Sequence, residues 1–367
     1  MDLKKDERIV MTLDAGGTNF VFSAIQGGEE IIDPFSVQAK YDTLEEVLYA
    51  IINGFRQTEL RIPGTASAIS FCFPGPAEYE AGIIGDLANL PTFRGGVALG
   101  PMLEDTFHIP VYINNDGDLF TYGEAIEGLL PEINTLLKEH NSPKHYNNLF
   151  GATFGTGFGG GIVCNGDIFL GDNSASGEIN RLRNKLHPSY SVEESISIRG
   201  VKRVYAGEMG ITIDECPEPK EIYEIAMGHK EGNRAAANIA FHEMAEVAGS
   251  ALADAISLID GIIVIGGGLS GAHPVFLDKL VEEMNSHFST PEGTMLERME
   301  VKAYNLENPK QLKAFLHGAA REITVPLSNR KISYDPIKRI GVATTRLGTA
   351  KAVSIGAYAY AIHQLDK

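Results

Sequence analysis

Short apolar runs broken by glycine-rich turns set the rhythm of this chain. Residues 9–13 (Ile9, Val10, Met11, Thr12, Leu13) and residues 20–25 (Phe20, Val21, Phe22, Ser23, Ala24, Ile25) predict two buried, paired strands. Between them lies Asp14-Ala15-Gly16-Gly17-Thr18-Asn19. A helical stripe follows, with Leu44, Val47, Leu48, Ile51, Ile52 and Phe55 on one face and Thr43 and Glu46 at capping-box spacing ahead of it. Residues 66–73 predict a strand closed by Pro74-Gly75-Pro76, and residues 111–113 a strand running into Asn114-Asn115-Asp116-Gly117. The stretch 130–148 is polar and predicts a loop-like insertion with a short helical piece.

The plan then repeats. Residues 149–154, the turn Gly155-Thr156-Gly157 and residues 159–164 predict a second glycine-turned hairpin. An alanine-rich helical pattern over residues 235–259 feeds the strand 262–265, which runs into Gly266-Gly267-Gly268. Ligands in α/β folds sit where strands end in such loops. Residues 352–360 predict a closing helix.

Glycines let backbone amides approach an anion, and successive N–H groups form a nest for phosphate oxygens. A carboxylate beside that nest repels phosphate unless a cation lies between them, so Asp14 points to a metal–nucleotide site. Taken alone, the same stretch is equally an ordinary hairpin turn. Gly155-Thr156-Gly157-Phe158-Gly159-Gly160 also matches the dinucleotide fingerprint, but that motif requires a helix after the glycines and here the pattern continues as a strand.

The 367 residues suffice for two domains. The net charge of −17, from 31 basic and 48 acidic residues, argues against a nonspecific grip on nucleic acid. Three scattered cysteines, Cys72, Cys164 and Cys216, make neither a disulfide framework nor a zinc spacing, which fits a reducing compartment. The charged segment ahead of the first strand lacks a signal-peptide core, and no run of about 18 apolar residues occurs, so a cytoplasmic location with no membrane partner is expected.

The order of Asp14-Ala15-Gly16-Gly17-Thr18-Asn19, Asn115-Asp116, Gly155-Thr156-Gly157 and Gly266-Gly267-Gly268 resembles the actin–hexokinase superfamily, and within it the ROK family of repressors, open reading frames and sugar kinases. The resemblance implies an α/β, two-domain actin-like ATPase (ribonuclease H-like) fold, with mixed sheets flanked by helices and a cleft between domains. Residues 1–118 with 350–367 would make the small domain and 119–349 the large one. It also implies an ATP-dependent hexokinase or glucokinase type of activity, with Mg²⁺. Asp14 would face the metal through water, and Gly16, Gly17, Thr18, Asn19, Gly155, Thr156 and Gly157 would hold ATP phosphates, with Gly266, Gly267 and Gly268 near the adenosine. Asp116 would be the general base, with Asp118 a rival two residues on. Asn89, Asn115, Glu178 and Glu193 would bind sugar hydroxyls, Glu194 being equally available beside Glu193. A homodimer is implied by the resemblance alone.

The expected reaction is phosphorylation of a hexose, glucose O6 first, with fructose or an N-acetylated amino sugar as other substrates and a non-catalytic sugar-binding or regulatory role as the alternative. The family's DNA-binding members carry a winged-helix domain ahead of the sugar domain, and here only a short charged stretch precedes the first strand.

One departure stands out. Many ROK members carry a histidine and three cysteines around structural zinc, whereas Glu178 is followed here by Ile179-Asn180-Arg181, and up to Glu193 there is His187 but no cysteine. Arg181, in the histidine's place, is expected to pair with a carboxylate or point to solvent. One histidine cannot make a tetrahedral cysteine-rich site. A purified, chelator-washed sample is predicted to carry no zinc by elemental analysis; about one tightly held zinc per chain would contradict this.

Overall fold

A computed structural model describes residues 3–15, 19–39, 41–87 and 90–367. The chain divides into two compact units, one made of Met1–Glu127, Asp167–Ser176 and Leu347–Lys367, the other of Gly128–Gly166 and Gly177–Arg346.

In the first unit, strands Val111–Asn114, Ala66–Cys72 and Ile9–Ala15 lie side by side and parallel, and Asn19–Gln26 joins Ile9–Ala15 as the antiparallel arm of a hairpin. Phe20, Phe22, Phe55, Phe71 and Phe73 are each at most 1% exposed and anchor its core. Helix Leu44–Glu59 covers this sheet; Thr43 caps it through both bonds of a capping box, and Val47, Ile51 and Phe55 face inward.

The second unit repeats the scheme. Leu149–Phe154 and Phe158–Cys164 form the antiparallel hairpin, and Ile262–Gly266, Arg339–Thr344 and Lys302–Asn305 follow Leu149–Phe154 as parallel strands in that order. Helix Arg234–Ile259 lies in its core, burying a row of alanines with Phe241, Met244, Leu252 and Ile256. After the glycines at 155–160 the chain is strand, then a turn at Asn165 and Gly166, both with positive φ. That pair is the signature of a tight hairpin turn, and the helix a dinucleotide fingerprint needs is absent at this point.

The stretch 130–148 departs from expectation. It is mostly a regular helix, Leu129–Glu139, and only the residues after it form a loop. Leu129, Leu130, Ile133 and Leu137 are buried along one face, a helical spacing hidden among polar neighbours. Pro131 is tolerated because it falls in the first turn.

The closing helix, Thr349–Leu365, packs against helix Asp116–Ile126. Contact is backbone to backbone. A Cβ on Gly356 would overlap the Leu119 carbonyl, and one on Gly123 would overlap the Ala352 carbonyl. Gly123→Ala and Gly356→Ala should each cost about 1–3 kcal/mol, because added volume at a close contact must be relieved by moving backbone. Gly207→Ala, in helix Ile198–Met209 with open space around its Cβ position, is the control and should be neutral or slightly stabilising. Urea midpoints check this; unchanged midpoints for both interface variants would contradict it.

Candidate functional site

Parallel strands end together, and that alignment groups the candidates of the first unit. Asp14 registers with Cys72, and Cys72 with Asn114, so the carboxyl ends of three strands lie level. Directly after Asn114 the chain turns into helix Asp116–Ile126. Asn115 is its N-cap, and its Oδ1 accepts from the Gly117 N–H at 2.8 Å. The same N–H reaches Asp116 Oδ1, also at 2.8 Å. Asp116 thus occupies the first helical position, where the helix dipole favours a negative charge.

The two rival carboxylates differ in burial. Asp118 is 4% exposed, whereas Asp116 reaches solvent. Asp14 is likewise exposed at the end of its strand, and Asn19 is exposed at the start of the next. Although they reach solvent, both Asp14 and Asp116 sit above the ordinary carboxylate range. Lost hydration is the main cause for each; at Asp116 the Gly117 N–H opposes it and the Asp14 charge adds to it. Between them the buried Cys72 thiol is pushed up by desolvation and by both carboxylates, and so stays protonated.

Tyr79 is a residue that sequence reasoning missed. It is 5% exposed, its hydroxyl donates to the Phe73 carbonyl at 3.1 Å, and it accepts from Asn115 Nδ2 at 3.4 Å. Asn115 is therefore fixed at both ends of its amide. No spacing or composition signal marks Tyr79, since its role arises only when the loop after Pro74-Gly75-Pro76 folds back. Gly16, Gly17, Thr18 and Asn89, all expected at the site, lie outside the described residues.

The second unit gathers most of the remaining candidates around one hairpin. In the turn Gly155-Thr156-Gly157 the Gly155 N–H donates to the Gly157 carbonyl at 3.0 Å, and the Gly155 carbonyl accepts from Ile198 at 2.8 Å. Thr153 registers with Gly266, which brings the Gly266-Gly267-Gly268 loop alongside; a Cβ on Gly155 would stand 4.0 Å from the Gly268 nitrogen. Gly267 needs to be glycine twice over. Its φ is +83°, and a Cβ there would collide with the Phe154 carbonyl.

Glu193 lies against this turn. Its Oε2 accepts from the Phe158 N–H at 3.1 Å and would be 2.6 Å from a Cβ on Gly157. Its neighbour Glu194 turns away to Arg199, at 2.8 Å. Glu178 is exposed and follows Gly177, whose carbonyl would be 2.5 Å from a Cβ on Gly160. A bare glycine strand thus lets the Glu178 segment lie directly on the hairpin.

The loop between Glu178 and Glu193 is organised by Asn184, which is fully buried. Its Oδ1 accepts from the Leu186 and His187 N–H groups, both at 3.0 Å, and its Nδ2 donates to Ser195 Oγ at 2.9 Å. Ser195 and Arg203 both donate to Glu243, and His187 Nε2 lies 3.6 Å from it. Arg181 is exposed. Among the described residues no three His, Cys, Asp or Glu side chains converge to hold a metal.

A family model described as the ROK family matches residues 10–310. The chain belongs to the ROK family. Glucokinase from Parabacteroides distasonis is similar to it over 99% of each chain, at 54% identity and a TM-score of 0.92. The N-acetyl-D-glucosamine kinase of Vibrio cholerae is 25% identical over 289 residues, 74% of this chain and 86% of the relative. A ROK family glucokinase from Streptomyces griseus, solved with glucose and AMPPNP, covers 96% of this chain and 98% of its own at 20% identity, with a TM-score of 0.58. The α/β, two-domain actin-like ATPase fold implied by the sequence resemblance is the fold of this ROK chain.

Proposed function

We propose that this ROK protein is an ATP-dependent hexose kinase, with glucose as first substrate and its 6-hydroxyl as the acceptor. The observation that carries the reading is Asp116, an exposed carboxylate at the start of a capped helix, two residues beyond Asn114, the strand end level with Asp14. A hexose hydroxyl is a weak nucleophile until a base begins to take its proton. Asp116 accepts that proton while the sugar oxygen bonds to the γ-phosphorus and the bond from phosphorus to the ADP oxygen breaks. Asn115, whose Oδ1 is committed to the cap and whose Nδ2 is steadied by Tyr79, orients a hydroxyl with its remaining N–H. Asn89, Glu178 and Glu193 fill the same role, Glu193 also bonding the backbone just after the Gly155-Thr156-Gly157 turn.

Phosphoryl transfer otherwise needs positioning and charge neutralisation. The amides of residues 16–18 and of Gly155, Thr156 and Gly157 serve the phosphates, and Gly266, Gly267 and Gly268 the nucleoside. Asp14 fits a hydrated Mg²⁺, which supplies charge neutralisation when bound. A second reading, an N-acetylated amino sugar as substrate, is favoured by the relatives named for N-acetyl-D-glucosamine kinase activity. Among the described residues no helix is long and apolar enough to cross a membrane.

ADP release across glucose, mannose, fructose and N-acetylglucosamine tests the reading; glucose or N-acetylglucosamine should give the highest kcat/KM. Asp116→Asn should lower kcat by about 10²–10⁴. Because Asp116 works ionised and its pKa is raised, the rate should fall on the acid side at a pH above the ordinary carboxylate range. Asp14→Asn removes a charge that raises that pKa, so the acid limb should move to lower pH. Sugar binding without ADP release would instead mark a non-catalytic sensor, and near-normal turnover by Asp116→Asn would remove the base.

A further inference from the structure

Glu193 is held at both its carboxylate and its backbone. The carboxylate lies against Gly157 and accepts from the Phe158 N–H at 3.1 Å. The backbone belongs to the short helix Val192–Glu194, and the residues on either side of it, Ser191 and Ser195, are bonded by one side chain, that of Asn184.

The chain passes this point twice. Arg183 and Ser191 bridge in antiparallel fashion. The Asn184 N–H donates to the Tyr190 carbonyl and the Val192 N–H to the Leu182 carbonyl, both at 3.0 Å. The Asn184 side chain, fully buried, stitches the two passes together. Its Oδ1 accepts from Leu186 and His187 on the first pass. Its Nδ2 donates on the second, to Ser195 Oγ at 2.9 Å and to the Ser191 carbonyl at 3.5 Å. Two acceptor sites and two donors are the whole capacity of an amide, and all are used.

Glu243 ties this stitch to the core. Ser195 is 2% exposed; its hydroxyl accepts from Asn184 and, at 3.5 Å, from Arg203, and donates to Glu243 Oε1 at 3.2 Å. Arg203 Nη2 donates to the same oxygen at 2.8 Å. Glu243 belongs to helix Arg234–Ile259, in the core of the unit, and Arg203 to helix Ile198–Met209. One turn along from Glu243, Glu246 lies 2.9 Å from Lys185, which is also 2.7 Å from Glu283. A saturated, charge-assisted network of this kind admits one arrangement, and a binding carboxylate must be held to within about 0.5 Å to be effective.

We propose that Asn184 and Glu243 are positioning residues for sugar binding: through Ser191 and Ser195 they fix residues 191–195 and so aim the Glu193 carboxylate at a sugar hydroxyl. This rests on the reading of Glu193 as a sugar contact. The phosphate turn has its own support, since the Ile198 N–H donates to the Gly155 carbonyl at 2.8 Å from the start of a helix capped by Ser197. A loosened network is therefore felt by the sugar and not by ATP.

Steady-state kinetics of the full chain, with glucose and with N-acetylglucosamine, test this, folding of each variant being verified by circular dichroism. Asn184→Asp keeps the acceptors and loses the donors. It and Glu243→Ala should each raise the sugar KM about tenfold or more, with kcat and the ATP KM changed less than about threefold. Glu243→Gln keeps an acceptor for Ser195 and Arg203 and should recover most of the loss. Ser195→Ala, which breaks the link between the two, should act as Asn184→Asp does and serves if that variant misfolds. Lys185→Met loosens the same loop without touching Ser191 or Ser195 and should leave the sugar KM within about twofold. Glu193→Gln, measured alongside, should weaken the sugar directly. If it does, an unchanged sugar KM in the Asn184 and Glu243 variants, equal losses for sugar and ATP, or an equal effect of Lys185→Met would overturn the positioning role alone. An unaltered sugar KM in Glu193→Gln would remove Glu193 from the sugar site, and the positioning role with it.

Discussion

One N–H group, that of Gly117, organises the chemistry proposed for this ROK protein. It donates both to the cap side chain of Asn115 and to the carboxylate of Asp116. The cap starts the helix at a fixed place, immediately after a strand whose end is level with that of Asp14. A carboxylate set at the beginning of a helix is oriented by backbone geometry, not by a long flexible side chain. Lost hydration and the nearby Asp14 charge raise its pKa, while the Gly117 N–H holds the rise in check. A base for a sugar hydroxyl takes a proton in its ionised form, and a raised pKa increases its proton affinity.

The rest of the fold supports that placement. Helix Asp116–Ile126 is clamped by the closing helix through the close approaches at Gly123 and Gly356. Tyr79 holds the Asn115 amide from the other side. The second unit solves a similar problem with the same device, a hairpin bent at glycines and followed by parallel strands. There Glu193 bonds the backbone at the foot of the turn, and the adjacent glycine loop is forced into a left-handed turn at Gly267. Each unit thus uses strand register to bring loops together and glycine to let backbone approach backbone.

Much of this architecture was legible in the sequence because it depends on local signals. Glycines flanked by β-branched runs mark hairpins, Thr43 with Glu46 marks a helix start, and Asn115 before Asp116-Gly117 has the composition of a cap. Less local features escaped. The helix Leu129–Glu139 was obscured because its four buried residues are diluted by polar ones. Asn184 and Tyr79 have no sequence signature, since each gains its role from partners brought in by loop folding. The motif marks Asp116 as the base with Asp118 as its rival; that Asp118 is buried while Asp116 is exposed was not legible in their spacing. The loop that lacks the cysteines found in many ROK members is organised by the Asn184 amide and the cluster around Glu243, polar contacts for which no motif exists.

The most direct test of the account is a crystal structure of this chain with a hexose substrate and a non-hydrolysable ATP analogue. The account predicts an Asp116 carboxylate oxygen within about 3.2 Å of the sugar hydroxyl that faces the γ-phosphate. A bound sugar whose nearest hydroxyl is held by other groups, with the Asp116 carboxylate bonded only to Gly117, would contradict it.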